Sequence, residues 1–167
     1  MVEAVTGTNS IGLRFVADES LASRVIRRYD QGAWSHVDAV ADDGRLLGAR
    51  ADHCGPVPSG VEYRPATYMR PVAQRVVRVP ATADQVAAFW RFLEAQLGKP
   101  YDSLAILAFV MDRDWRGDKA WFCSELQGAA LEAAGVFPYR LGTPLNKLTP
   151  DGLFLAVSAI ADVWGPG

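Results

Sequence analysis

The sequence is short of the residues that build disulfide frameworks and metal centres. It holds two cysteines, Cys54 and Cys123, and two histidines, His36 and His53. Two thiols with no Cys-x-x-Cys spacing make neither a stapled scaffold nor a zinc site, so no metal is expected and no cofactor is implied. Positive charge is not in excess: seventeen Lys and Arg face nineteen Asp and Glu, for a net charge of −2. A nucleic-acid footprint needs a basic surplus or a dense basic patch, so nucleic acid is not an expected partner. Long apolar runs are also missing. The longest, Leu104 to Met111, is about half of the roughly 18 residues that cross a bilayer, so no transmembrane segment is expected. The stretch Met1 to Gly7 lacks the basic and apolar regions of an ordinary secretory signal, which fits a chain that is cytoplasmic as synthesised. Internal repeats and low-complexity segments are absent.

What remains is an ordinary globular composition. Of 167 residues, half are hydrophobic and 22% are charged, too apolar for a disordered chain and too few for two large cores. Residues 1–10 read as an irregular lead-in and 11–167 as a single domain. Ile11 to Val16 alternates like a strand. Asp18, Glu19 and Ser20 then offer helix-start chemistry, and Leu21, Val25, Ile26 and Tyr29 follow at helical spacing. Trp34–Ala41 and Arg45–Ala51 read as a hairpin around Asp43-Gly44, because glycine accepts positive φ. Residues 52–60 are loop by composition, and Val61–Arg64 and Gln74–Val79 read as strands.

The second half reads as helical. Thr82 and Gln85 form a capping box, and Val86, Phe89, Trp90, Leu93 and Leu97 form one apolar stripe. Gly98 and Pro100 end it. Leu104–Met111 reads as a buried helical turn or two. Cys123–Ala134 is a further helix, closed by Gly135. Thr149 caps a last helix that opens at Pro150 and runs to about Val163. Segregated strands and helices predict an α+β fold, with an antiparallel sheet packed against helices. No Gly-x-Gly-x-x-Gly follows a strand, which excludes a Rossmann reading.

Cys123 is the first candidate for chemistry. It opens a helix, where the positive end of the dipole and free N–H groups stabilise a thiolate and an oxyanion. A buried structural cysteine is the alternative. A thiol nucleophile wants an imidazole, and His36 lies at the start of a strand, far away in sequence. Asp38, two residues on, points to the same side as His36 and can orient its ring. Asp38 also reads as a solvated strand carboxylate. Asp52 and His53 are weaker candidates for the orienting role. Cys54, in a Gly/Pro loop, reads either as an exposed thiol or as a partner for Cys123. Tyr101 and Asp102 read as a turn.

Four stretches together resemble the circularly permuted NlpC/P60 superfamily, the branch with YiiX/YebB-like and lecithin-retinol acyltransferase-like proteins. They are Trp34-Ser35-His36-Val37-Asp38, Asp43-Gly44-Arg45-Leu46-Leu47-Gly48-Ala49-Arg50, Gly98-Lys99-Pro100-Tyr101-Asp102 and Trp121-Phe122-Cys123-Ser124-Glu125-Leu126. In permuted members the histidine strand precedes the cysteine helix, as it does here. The resemblance implies a papain-like fold with its nucleophile, Cys123, at a helix N-terminus and His36 as base. It places Tyr101 near the nucleophile, to position substrate or oxyanion, and Ser124 among the oxyanion groups at the helix start.

A third polar residue usually sits on the strand after the histidine, and its place here falls at about Gly48, which has no side chain. Asp38, Asp52, or a backbone or water oxygen takes that role, or the site is a dyad, or activity is lost. The implied activity is that of a cysteine peptidase or amidase, cleaving an amide of peptidoglycan stem peptides through a thioacyl-enzyme. Without a signal, such a hydrolase would suit a phage particle or export by another route. Two alternatives stand beside it. One is an acyl-chain hydrolase or acyltransferase of the same fold, with Leu104–Met111 or Leu153–Val157 lining a lipid groove. The other is a catalytically silent binding module. Trp34, Trp115 and Trp121 read as core or as substrate-stacking rings.

Overall fold

The computed structural model describes residues 9–101, 121–137, 141 and 144–161, without the side chain of Asn146. Leu104–Met111, Asp102, Trp115 and the end of the last helix lie outside these residues. Five strands form one antiparallel sheet in the order β4-β3-β2-β1-β5: β1 Ser10–Ala17, β2 His36–Val40, β3 Leu46–Arg50, β4 Gly60–Arg64 and β5 Ala73–Pro80. Helix α1, Leu21–Asp30, links β1 to β2. Helices α2, Ala83–Glu94, α3, Cys123–Ala133, and α4, Pro150–Ser158, follow the sheet, with a short 3-10 turn at Leu145–Lys147. The expected α+β class holds, with five strands and four α-helices among the described residues. None of these helices is long and apolar enough to cross a membrane.

The core lies between the sheet and the helices. Leu13, Phe15, Val37, Ala39, Leu47, Ala49 and Val61 meet Phe89, Leu93, Leu126, Ala130, Leu131, Leu153 and Val157. Helix α3 is buried almost all round, and its small residues explain how. A Cβ on Gly128 would come within 2.6 Å of Leu148 Cδ2, so glycine lets the following turn close over the helix. The side-chain amide of Gln127 donates to the carbonyl of Leu47 at 2.9 Å, which ties α3 to β3. These contacts fix the end of the helix that carries Cys123.

Local signals account for most boundaries. The Thr82–Gln85 capping box forms in both directions, Thr149 caps α4, and Ser20 caps α1. Gly44 turns the β2–β3 hairpin at φ +81°. Two expectations are corrected, at Leu97 and at the start of β2. Helix α1 buries Ser23, packs Ile26 against the core and leaves Leu21 77% exposed. The Ser23 hydroxyl donates to Ser35 Oγ at 2.7 Å and accepts from Asp18 N at 3.1 Å, a polar tie to the entry of β2. Helix α2 stops at Glu94, so Leu97 falls beyond it and is 40% exposed.

The second correction concerns β2, which starts at His36 and not at Trp34. The Asp151 carboxylate, in the first turn of α4, accepts from Ala33 N at 3.0 Å and Trp34 N at 2.9 Å. Those two N–H groups point at α4 and leave the sheet. Glycine at 32 is required there, because a Cβ would fall 2.0 Å from Asp151 Oδ2. This latch sets where the histidine strand begins. Asp151→Ala should cost about 1–3 kcal/mol, the loss expected for hydrogen bonds to a charged group, and Gly32→Ala a similar amount. Urea unfolding midpoints check this, and unchanged midpoints in both variants would remove the latch from the account.

Candidate active site

His36 is the first residue of β2 and Asp38 the third, so strand periodicity puts both side chains on one side. The His36 Nε2 lies 2.8 Å from Asp38 Oδ1. Both are buried, Asp38 to 1% exposure, so the solvated-carboxylate reading is corrected. The second Asp38 oxygen accepts the Tyr68 hydroxyl at 2.7 Å. A carboxylate this deep persists only when paired and hydrogen-bonded, and this one is both.

Gly48 on β3 lies beside it. A Cβ built there would fall 2.0 Å from Asp38 Oδ1. The missing side chain is therefore the space that the Asp38 carboxylate occupies. Of the alternatives open in the sequence for the third position, the geometry favours Asp38. Asp52 is exposed and engages Arg50, accepting at 2.6 and 2.9 Å, and His53 is exposed in the loop, so neither orients the His36 ring.

Cys123 is the first residue of α3. The N-cap residue, Phe122, makes no side-chain capping bond. The Cys123 sulfur lies near enough to the His36 ring for its charge to act on it. Burial opposes charge on His36, but the Asp38 carboxylate and the Cys123 sulfur outweigh it and push the ring up to about 9. Burial likewise opposes charge on Asp38. There the His36 ring and the hydrogen bonds from His36 and Tyr68 prevail, and the carboxyl is held below its ordinary range. Both shifts favour an imidazolium–carboxylate pair beside the thiol.

The remaining candidates fall as follows. Tyr101 pairs with Trp121 in an isolated parallel bridge, and its ring packs 6.0 Å from Phe122, next to Cys123. Its neighbour Asp102 is outside the described residues. Ser124 is fully buried and its hydroxyl donates to Leu148 O at 2.5 Å, so the hydroxyl is already engaged. Cys54 and Cys123 are both free, which removes the disulfide alternative. Trp34 packs with Phe15 and Phe154 in the core, and Trp121 donates its indole N–H to Gln96 Oε1.

Sequence reasoning missed Tyr68 and Arg50. Tyr68 sits in the loop after β4, and Arg50 lies 5.1 Å over its ring. No periodicity points to a loop residue. The one available signal was an aromatic held between Pro65 and Pro71 in a stretch with no strand pattern.

No family model matches the chain, and no curated protein does. Among solved structures it is similar to the metalloprotein YiiX, DUF1105, from Escherichia coli O157:H7. The identity is 18% and the TM-score 0.50, over 81% of this chain and 69% of that one. At that identity the likeness concerns the fold, and the α+β architecture here is consistent with a papain-like one. YiiX is described as a metalloprotein; here, no group of three or more His, Cys, Asp or Glu able to hold a metal ion occurs among the described residues.

Gly48→Ala tests the packing of the site. The new methyl displaces the Asp38 carboxylate, so Cys123 should react with iodoacetamide at pH 6 about tenfold or more slowly than in the wild type. Peptide mass spectrometry reads the rate. An unchanged rate would mean that Asp38 does not support the thiol.

Proposed function

We propose that the chain is a cysteine hydrolase that cleaves an amide bond through a thioacyl-enzyme. The observation that carries this reading is the His36–Asp38 pair, 2.8 Å apart and buried, set against a thiol at a helix N-terminus. Each part has a job. The Cys123 thiolate attacks the carbonyl carbon, and the first-turn N–H groups of α3, that of Ser124 among them, hold the oxyanion. The C–N bond breaks as the imidazolium of His36 passes its proton to the leaving nitrogen. Water then attacks the thioester and gives a proton back to His36. The C–S bond breaks, the acid product leaves and the thiolate–imidazolium pair returns. Asp38 keeps the ring oriented throughout and stabilises its charged form before and after the cycle.

The substrate in this reading is a peptidoglycan stem peptide, as the four matching stretches suggest. One observation favours a second reading, the catalytically silent binding module: Cys123 is 1% and His36 7% exposed, which gives a substrate little access.

Incubation with purified peptidoglycan, with products identified by mass spectrometry, separates the two. The hydrolase reading expects new amine and carboxyl ends. Cys123→Ala should abolish them, and His36→Ala should slow their release by about 10²–10⁴-fold. Turnover that survives Cys123→Ala overturns the thiol mechanism. Retained binding with no cleavage by the wild type favours the silent module, and cleavage of an acyl-chain ester instead moves the substrate to lipid.

A further inference from the structure

The hydrolase reading uses Cys123, His36 and Asp38 and leaves the far side of the Asp38 carboxylate unexplained. We propose that Tyr68 is a positioning residue of this site, whose hydroxyl holds Asp38 ionised and aimed at His36. The inference rests on the hydrolase reading and deepens it.

Tyr68 is held where it is. Its N–H donates to Pro65 O at 3.0 Å, which turns the loop after β4. Arg14, from the middle of β1, donates Nη1 to Ala66 O at 2.9 Å and Nε to Gln74 Oε1 at 3.2 Å. Arg50 reaches the same loop, with Nη1 3.4 Å from the Tyr68 hydroxyl and 3.7 Å from Met69 Sδ. The phenol therefore meets Asp38 Oδ2 at a fixed place and distance.

The direction of that bond follows from chemistry. An ionised carboxylate only accepts, so the phenol must donate and must keep its proton. Burial, then the Asp38 charge, push the Tyr68 phenol up, which keeps that proton on. Without the donor, Oδ2 would be buried with no partner. The carboxyl would then take up a proton more readily or turn away from the ring.

Among the described residues, the charged and titratable groups around the pair are His36 on β2, Cys123 on α3, Arg50 and Asp52 at the end of β3, Asp18 after β1, and Arg14 opposite Asp38 on β1. Arg50 shares its charge with Asp52 through two hydrogen bonds, and Arg14 is turned to Gln74 and Ala66. Among the described residues, Tyr68 and the His36 ring are the donors to the Asp38 carboxylate.

A purely structural role predicts lower stability and an unaltered pH profile. A positioning role predicts a moved one. The experiment measures the iodoacetamide rate at Cys123 from pH 4 to 9, with Cys54 as the internal control, in the full-length wild type, Tyr68→Phe, Asp38→Asn and the double variant. Tyr68→Phe keeps the ring and removes only the hydroxyl. Because a donor to the charged form lowers a carboxyl's pKa, its loss should move the acid limb of the profile up by about one pH unit. In the Asp38→Asn background the same change should have no further effect.

A Tyr68→Phe profile that coincides with the wild type overturns the proposal, even if the melting temperature falls. So does a shift that persists in the Asp38→Asn background. A wild-type Cys123 no more reactive than Cys54 is a different failure, since it overturns the hydrolase reading and the proposal with it.

Discussion

A carboxylate with almost no exposure sits at the centre of this molecule. Left alone, an ionised Asp38 would cost far more than a small domain can offset. It is kept by three neighbours, each from a different segment. His36 meets it along the same strand, Tyr68 reaches it from the loop after β4, and Gly48 on β3 leaves it room. Moving any one would disturb the pairing that keeps Asp38 ionised. The helix that presents Cys123 is tied to the same strand, because Gln127 donates to Leu47, the residue before Gly48. The thiol, the imidazole and the carboxylate therefore share a single rigid frame.

That frame gives the site a pH window. His36 is raised from 6.5 to about 9 in the folded chain. Its charged ring contributes stability that is complete below 6.5 and is lost as pH rises through about 9. Asp38 is lowered from 3.8, so its contribution is complete above 3.8 and lost as pH falls through the lower folded value. Between 3.8 and 6.5 both contributions are in place. The pair that stabilises the fold is also the pair that would run acid–base chemistry near neutrality, so structure and chemistry depend on the same protons.

Much of the fold could be read from local chemistry. The Thr82–Gln85 box, the Asp43-Gly44 turn and the Thr149-Pro150 start are side-chain and backbone rules that act within a few residues. The same-side placement of His36 and Asp38 follows from the strand period alone. What the sequence could not show depends on segments far apart in the chain. Gly48 looked like a gap where a polar group belonged, and it is the room for an acid carried on the neighbouring strand. Tyr68 reaches Asp38 only because Arg14 and Pro65 hold its loop. Asp151 trims β2 from 118 residues away in sequence. The helical spacing of α1 was legible, but not that Ser23 would be buried while Leu21 stays exposed.

The central claim is that Asp38 and the Cys123 sulfur together hold a charged imidazole at position 36. Ring-proton NMR tests it most directly, because the chain has only two histidines. His53, exposed in its loop, serves as the reference signal. The account predicts that the His36 ring titrates near 9 in the wild type and falls well below that in Asp38→Asn. A His36 ring that titrates at the ordinary 6.5, or one indifferent to Asp38→Asn, would contradict it.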